Sequence, residues 1–307
     1  MLRTLRSRLQ PDALALAAGG ALPHRALRPV LKAALAGLSC ALCLHRASPT
    51  ARPGEFQPGL DMRPEAIDAL LELLLSARPG AGWLTVTFDD GYQDAARYLA
   101  TRAARFPRVR FLFFVCPEKL ERRAGFRWDL VEEGLRAGRP REAMLPLLDA
   151  PAALEGENAR PDLQGLAEHP AFALATLEEA QALTRLPNVS LGNHTNLHIP
   201  SARLPPEVAE ADFRRSKADF ERLFGPLRHF AFPYGTPRAH FRAEHVAMLR
   251  ALGDFELWST ESRPYRAGEG GVLPRFPVDG SRSPEALAGW LAARAVDFKV
   301  RGRRKQP

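Results

Sequence analysis

A chain of 307 residues with 46% apolar and 25% charged side chains has the composition of a globular protein with one large or two small domains. No run of 18 apolar residues occurs, which argues against a membrane-spanning helix. The net charge of +8 is concentrated at the chain ends, and no basic stripe with interleaved aromatic residues indicates nucleic-acid binding.

Basic residues cluster at both ends of the chain. Solvation explains them most simply, and attraction to an anionic lipid or acidic polymer is the alternative. Residues 33–44 have the length of a signal-peptide core, but they begin far from the N-terminus and lack an A-x-A site. We therefore expect a cytoplasmic or membrane-peripheral protein without a cleaved signal. The basic residues concerned are Arg3, Arg6, Arg8, Lys299, Arg301, Arg303, Arg304 and Lys305.

The three cysteines indicate neither a disulfide scaffold nor a structural zinc site. Cys40 and Cys43 form a C-x-x-C pair, but they lie inside an apolar run, and no second pair accompanies them. The third cysteine, Cys116, leaves an odd count. We interpret Cys40 and Cys43 as small buried hydrophobic residues.

Three segments are expected along the chain. We predict a basic arm of loose amphipathic helices at residues 1–37 and a central domain at residues 38–298. A basic tail is predicted at residues 299–307. Within the central domain, residues 118–180 are charged, helix-rich and broken by prolines, which predicts an insertion with Trp128 in its aromatic anchor.

Strands and helices are predicted to alternate through the central domain. The first predicted helix has Asp61 near its cap and Pro64 in its first turn, followed by Ile67, Leu70, Leu71 and Leu74 on one face. Further helices are predicted near residues 95–99 and at 206–224, 240–252 and 284–297. Strands are predicted at 40–46, 84–88, 109–115, 189–191, 229–232, 255–258 and 272–276.

This alternation favours an α/β fold, a (β/α) barrel of about seven parallel strands with helices outside. No glycine-rich phosphate motif opens any of the helices, so a nucleotide-binding site is not predicted. In such barrels the functional side chains lie at the carboxyl ends of strands. The residues at these ends are His45, Asp89, Asp90, His194, Pro233, Tyr234 and Arg275.

Two adjacent carboxylates, Asp89 and Asp90, end the strand over residues 84–88. Neighbouring residues of a strand point to opposite faces, so one carboxylate can hold a metal while the other transfers a proton. A solvated Asp-Asp-Gly turn is the alternative for the pair taken alone.

A second motif, His194-Thr195-Asn196-Leu197-His198, follows the strand at 189–191. If the chain turns helical there, the two imidazoles at i and i+4 can hold one cation. Two histidines and one carboxylate leave positions open on Zn²⁺ or a similar metal, as a hydrolytic site requires. A third motif, Phe232-Pro233-Tyr234-Gly235, could by itself be a simple turn.

In this order, Thr87-Phe88-Asp89-Asp90-Gly91 and the second and third motifs resemble the polysaccharide deacetylases, carbohydrate esterase family 4. The resemblance spans roughly residues 38–295. It implies a distorted (β/α) barrel, a divalent metal that is usually zinc, and hydrolysis of N-acetyl groups from polymers that contain N-acetylglucosamine.

The resemblance also implies a role for each motif residue. Asp89 is the general base, and Asp90, His194 and His198 are the metal ligands. The backbone N–H of Tyr234, after Pro233, is expected to bind the oxyanion. Thr195 is expected to offer a hydroxyl that fixes the site or contacts an acyl oxygen.

The chain departs from the family pattern at two places. Ala231 occupies the position of an arginine that orients the base in many members, and the late strand at 272–276 lacks the histidine that acts as general acid. We expect Arg275 to orient Asp89 instead. We expect His45, at the end of an earlier strand, to be the acid, as in exopolysaccharide poly-N-acetylglucosamine deacetylases. His240 and His245 are weaker candidates.

Two other functions remain open from the sequence. A related metal-dependent hydrolase could act on another acyl or C–N bond, and a glycan-binding barrel could have lost catalysis. The four residues Asp89, Asp90, His194 and His198 argue against the second alternative.

Overall fold

Eight parallel strands form one curved sheet in the computed structural model, which describes residues 24–49, 56–57, 59–149 and 161–304. The neighbour order is β10-β1-β4-β5-β6-β7-β8-β9, and β2 pairs with β3 in a separate two-stranded sheet. In chain order, the strands are β1 Cys40–Leu44, β2 Arg46–Ala47, β3 Asp61–Met62, β4 Leu84–Phe88, β5 Arg110–Val115, β6 Val189–Asn193, β7 His229–Ala231, β8 Glu256–Trp258, β9 Val272–Leu273 and β10 Phe276–Pro277.

Helices connect the strands and cover the outside of the sheet. Their bounds are α1 His24–Leu35, α2 Pro64–Ala77, α3 Gln93–Arg102, α4 Pro117–Arg122, α5 Arg127–Arg136, α6 Arg141–Met144, α7 Pro146–Asp149, α8 Pro161–Gln164, α9 Leu177–Leu183, α10 Pro206–Phe224, α11 Ala243–Leu252 and α12 Pro284–Arg304. Short 3₁₀ turns lie at Ala103–Arg105, Gly165–Glu168 and Ser201–Arg203. This confirms the predicted α/β class and distorted barrel.

The side chains of each strand alternate between two apolar layers. Leu42 and Leu44 of β1 pack with the covering helices in the large outer core, whereas Ala41 belongs to a small cluster inside the curve of the sheet. The same alternation places Cys43, His45 and Asp89 on the inner side, at the carboxyl ends of β1 and β4.

The single strand predicted at 272–276 is instead two short strands on opposite edges of the sheet. β9 pairs with β8, whereas β10 pairs with β1. Pro274 has no N–H to donate, so the ladder is interrupted there, and Arg275 follows at the break. Three peptide units from Leu273 to Phe276 span at most about 11 Å, so the sheet must curl until its edges meet. The main sheet therefore has eight strands, where about seven were predicted.

Several predicted boundaries differ from the structure. Asp61 lies in β3 and Arg63 is the N-cap of α2, which begins at Pro64. The predicted strand at 40–46 is divided between β1 and β2, because β2 leaves the main sheet to pair with β3. The last two predicted helices also differ: α11 begins at Ala243, and α12 continues to Arg304.

The described part of the predicted arm is the helix α1. Its leucines Leu27, Leu31 and Leu35 are fully buried in the outer core, and it packs against α12 and α2. The basic residues Arg3, Arg6, Arg8 and Lys305 lie outside the described residues. The predicted limits of arm, central domain and tail stay predictions. None of the described helices has both the length and the apolar character that a membrane span needs.

Candidate active site

A cleft of about 450 Å³ opens at the carboxyl edge of the sheet. β1 and β4 are parallel neighbours with Leu44 opposite Phe88, so the residues that follow them, His45 and Asp89, reach the same edge. The predicted site residues that line this cleft are His45, Asp89, Asp90, His194, His198 and Tyr234.

Three side chains form a candidate metal centre. The ligand atoms of Asp90, His194 and His198 all lie within 4.8 Å of one another. Asp90 Oδ1 is 3.0 Å from His198 Nε2 and 3.6 Å from His194 Nε2. A tetrahedral zinc ion with bonds of about 2.1 Å separates its N and O ligands by roughly 3.4 Å, so these distances suit one cation.

Hydrogen bonding supports the same assignment. His194 Nδ1 lies 2.8 Å from the carbonyl oxygen of Ala231 and therefore carries the proton. This directs the lone pair of Nε2 towards Asp90. Asp90 Oδ1 and His198 Nδ1 are buried polar atoms that form no hydrogen bond with the part of the chain that the structure describes. An unpaired carboxylate oxygen beside two imidazoles fits a divalent cation.

Burial and mutual charge set the protonation of the centre. Burial lowers the pKa of His194 to about 4, so this imidazole is neutral at pH 7. Burial raises the pKa of Asp90, but the imidazoles of His198, His45 and His194 together outweigh it, and the net pKa lies below the usual value. A neutral imidazole and an ionised carboxylate are the forms that bind a metal.

The loop from His194 to His198 is not helical, although a helical turn was the hypothesis for bringing the histidines together. Thr195 and His198 instead have positive φ angles of 66° and 53°, which fold the loop back on itself. The imidazole centroids are 4.8 Å apart. The i, i+4 spacing therefore identified the two residues but predicted the wrong backbone.

Hydrogen bonds inside this loop use the Thr195 hydroxyl, which was expected either to fix the site or to contact an acyl oxygen. Thr195 is fully buried, and its Oγ1 accepts the N–H of His198 at 3.0 Å. Asp212 of α10 accepts the N–H of Asn196 at 3.2 Å and also bonds the Thr195 side chain. Burial raises the pKa of Asp212 to about 7. Thr195 thus shapes the ligand loop and does not line the cleft.

Backbone strain is concentrated at this site. Among the described residues, six that are not glycine have positive φ, and four of them belong to the three motifs: Asp90, Thr195, His198 and Tyr234. Left-handed conformations are unfavourable for such residues and persist where the surrounding structure enforces them. The clustering makes these turns candidates for a functional role.

Arg275, which lies between β9 and β10, holds Asp89 at the end of β4. Its Nη1 donates to Asp89 Oδ1 at 2.6 Å and to Thr87 Oγ1 at 2.8 Å, and its guanidinium is fully buried. Burial raises the pKa of Asp89, but Arg275 first and then the imidazoles of His194 and His45 lower it well below the usual range. Asp89 is therefore ionised, with the contact that was predicted for Arg275.

Phe114 packs against the Arg275 guanidinium, and Gly192 leaves space for the Phe114 ring. The guanidinium carbon of Arg275 lies 5.2 Å from the ring centroid of Phe114, a cation–π contact. A Cβ atom at Gly192 would come within 2.4 Å of the same ring, so only glycine fits beside it.

His45 and Cys43 lie on the other side of Asp89. The Sγ atom of Cys43 is 3.4 Å from Asp89 Oδ2, and a ligand atom of His45 lies within 4.8 Å of both. The alternative acids are placed elsewhere. His240 and His245 each accept a backbone N–H through Nδ1, and neither lines the cleft. Cys43 is fully buried, as interpreted, and it also lines the cleft.

Trp128, from the predicted insertion, forms one side of the cleft beside the candidate metal centre. The ring of Trp128 in α5 packs edge-on against His198 at 4.7 Å between centroids. Its Nε1 donates to the buried Tyr92 hydroxyl, which donates in turn to Asp129. The ring of Trp128 also faces that of Tyr234, at 6.4 Å between centroids. Tyr234 is 45% exposed, whereas Pro233 is buried. Trp128 was predicted as an aromatic anchor of the insertion, but its position beside His198 was not predicted.

A scan with family models gives no match to this chain, and a search of curated proteins gives none either. Solved structures do match. IcaB from Ammonifex degensii is 20% identical over 83% of this chain and 97% of its own, with a TM-score of 0.52. BC0361, a polysaccharide deacetylase from Bacillus cereus, is 14% identical over 82% and 68%, with a TM-score of 0.55.

A third structure, of a de-N-acetylase from Aggregatibacter actinomycetemcomitans, is 12% identical over 83% of this chain and 98% of its own, with a TM-score of 0.53. These matches cover the barrel almost completely. At such low identity they define the fold, which is that of the polysaccharide deacetylases.

Proposed function

We propose that the protein is a metal-dependent hydrolase that removes N-acetyl groups from N-acetylglucosamine-type residues of a polysaccharide or glycoconjugate. The observation that carries this proposal is the divided environment of two adjacent carboxylates. Both carboxylates lie near His194, at 3.7 Å from Asp89 and 3.6 Å from Asp90. Only Asp90 contacts His198, at 3.0 Å, whereas Asp89 is held by Arg275 and lies near His45. Groups with such different surroundings are suited to different roles.

The metal centre takes Asp90, His194 and His198 as ligands. Two nitrogen donors and one oxygen donor with open positions favour Zn²⁺. When bound, the cation supplies Lewis-acid polarisation of the acyl carbonyl and of the attacking water. A further protein donor for the oxyanion is the backbone N–H of Tyr234, in the strained turn at the cleft.

The protein's own residues transfer the protons. Asp89 accepts the proton of the attacking water through Oδ2, because Oδ1 is bound to Arg275. His45, on the far side of Asp89, protonates the leaving amine so that the C–N bond can break. The buried guanidinium keeps Asp89 ionised and fixes its orientation without touching the substrate.

The similar structures support the chemistry at a coarser level. One is a polysaccharide deacetylase and another a de-N-acetylase, and both share the barrel. The cleft is open and has Trp128 and Tyr234 along it. The ring of Tyr234 is 45% exposed, whereas Trp128 is buried. An exposed aromatic face beside a polar centre suits a pyranose ring, so we propose that an amino-sugar residue lies against Tyr234.

Acetate release tests the proposed activity. Purified protein is incubated with N-acetylated chito-oligomers, β-1,6-linked oligomers and peptidoglycan fragments, each with and without a chelator. We expect chelator-sensitive acetate from at least one of them and none from Asp89→Asn. Absence of acetate from all three would favour a hydrolase of another acyl or C–N bond. Oligomer binding with metal bound but no hydrolysis would indicate a glycan-binding barrel.

A further inference from the structure

A second group of metal-binding side chains lies beside the catalytic one. The ligand atoms of Cys43, His45 and Asp89 all lie within 4.8 Å of one another. Cys43 and His45 are two residues apart at the end of β1, so both point to the inner side, and the strand pairing brings Asp89 next to them. All three line the cleft, and Cys43 and Asp89 are almost fully buried there.

We propose that these three residues form a second, inhibitory site for a thiophilic divalent cation such as Zn²⁺ or Cd²⁺. Thiolate, imidazole and carboxylate are together a donor set that zinc accepts. In a tetrahedral zinc site with bonds near 2.3 Å to sulfur and 2.1 Å to oxygen, the two ligands are roughly 3.6 Å apart. Cys43 Sγ and Asp89 Oδ2 are 3.4 Å apart, which already approaches this spacing.

The hydrogen bonds of Asp89 leave one oxygen available. Arg275 donates to Oδ1, whereas Oδ2 accepts only the weak S–H donor of Cys43 among the contacts given for the described residues. A cation replaces the thiol proton, which is released to water, and bridges the same two atoms. His194 Nε2 also lies 3.7 Å from Oδ2, on the side of the first cation.

Electrostatics orders the two sites. With the catalytic cation bound, Arg275 and that cation together outweigh the charges of Asp89 and Asp90, so a second dication approaches a region that is already positive. The new thiolate offsets only part of this repulsion. The second site therefore fills after the first and binds its cation more weakly.

Occupancy of this site stops the reaction, an effect that rests on the proposed function. The cation takes Asp89 and His45 as ligands, so neither the base nor the acid can transfer a proton. Excess metal therefore inhibits an enzyme that requires one equivalent of metal. The site itself, unlike the inhibition, can be observed without any turnover.

Cadmium titration tests the site directly. Cd²⁺ is added to protein that already contains one equivalent of Zn²⁺, and the near-ultraviolet sulfur-to-cadmium charge-transfer band is recorded. We expect one saturable band in the wild-type protein and none in Cys43→Ser. Cys40→Ser, three residues earlier on the same strand and buried outside the cleft, should keep the band. His45→Ala should weaken the cation affinity by at least about tenfold.

Inhibition should follow the same titration. Each variant is compared with its own metal-sufficient activity, and Cys43→Ser should need at least about tenfold more Cd²⁺ for half-inhibition. Thermal unfolding checks that the serine variant is folded, and Cys43→Ala replaces it otherwise. No band in the wild-type protein, or a band that survives removal of Cys43, would overturn the site. A band in the wild-type protein, together with no acetate release from the cadmium-free protein that contains one equivalent of Zn²⁺, would instead refute the proposed function and leave the site standing.

Discussion

The two halves of the cleft are built by different means. The metal half, defined as Asp90, His194 and His198, depends on loops whose backbone is left-handed at two of its three residues. The acid–base half, defined as Asp89, His45 and Arg275, depends on the pairing of β1 with β4 and on the closure of the barrel at Arg275. Local turns place the ligands, and distant chain contacts place the proton-transfer groups.

The two halves of the cleft meet different requirements of the proposed reaction. A metal centre tolerates only small errors in ligand position, and the turns are stabilised locally by Thr195 and Asp212. The base must instead stay ionised in a buried place, which needs a full positive charge. Arg275 supplies this charge from 186 residues away in the sequence. Damage to one half should therefore leave the other half intact.

Removal of a metal ligand is expected to have the largest effect. His198→Ala leaves two ligands, so bound zinc should fall below one equivalent, and kcat/KM should fall by at least ~10⁴-fold, about 5.5 kcal/mol of transition-state stabilisation. Metal analysis and acetate release measure the two quantities. His169→Ala, which removes a histidine outside the cleft, is the matched control. Full metal content in His198→Ala would contradict the ligand assignment.

Removal of the proposed acid should separate the two halves. His45→Ala is expected to lower turnover by about 10²–10⁴-fold, because the leaving amine is no longer protonated. Bound zinc should remain at the wild-type level, since His45 is not a ligand of the first cation. Metal content and kcat are measured on the same sample. Turnover like that of the wild-type protein would refute the role of His45.

Loss of the buried guanidinium should raise the pKa of Asp89 and leave the metal half in place. Arg275→Gln leaves a buried carboxylate without its partner, which costs about 3–5 kcal/mol of folding stability. The pKa of Asp89 should rise, because the positive charge that lowered it is gone. Activity requires ionised Asp89, so the acidic limb of the pH–kcat/KM profile should move to higher pH.

The control for this change is a second arginine in the same sheet. Arg110 pairs with Glu256 near the start of β5, where both side chains are partly exposed. Arg110→Gln should cost at most about 1 kcal/mol and leave the pH profile unchanged. Equal stability losses in the two variants, or an unmoved acidic limb in Arg275→Gln, would contradict the proposed division.

Much of the fold could be predicted because each strand carries its own signal. Continuous apolar runs such as β5 and the end-of-strand position of Asp89 depend on local sequence. The split at Pro274 was not predicted, because the two halves of that segment pair with strands at opposite edges. Proline cannot donate a ladder hydrogen bond, and this was the signal available in the sequence.

The sequence predicted which residues form the candidate site, but it predicted their backbone conformation and positions only in part. The motifs identified three proposed ligands that the structure brings together. Thr195 and His198 nevertheless adopt left-handed conformations that propensity disfavours for such residues. The position of Cys43 was missed because its apolar neighbours suggested a core residue. The i, i+2 spacing of Cys43 and His45 was the available signal, since both must face the same side of β1.

The smallest expected effect concerns the support behind the metal half. Asp129 accepts the Tyr92 hydroxyl, which holds Trp128 against His198. Burial raises the pKa of Asp129 from 3.8 to about 7. Between these values the unfolded chain has lost the proton that the folded chain keeps, so stability falls as the pH rises.

Asp129→Asn should remove this part of the pH dependence. The amide cannot ionise and its oxygen still accepts from Tyr92, so the variant should gain stability relative to wild type as the pH rises from about 4 to about 7. Denaturant unfolding across this range measures the difference in unfolding free energy between variant and wild type. Asp212 has a similar pKa, but it is present in both proteins, so its contribution cancels in this difference. Asp129→Ala lacks the acceptor and should be less stable than Asp129→Asn at every pH. Parallel profiles for Asp129→Asn and wild type would show that the Asp129 carboxyl is ionised in the folded protein.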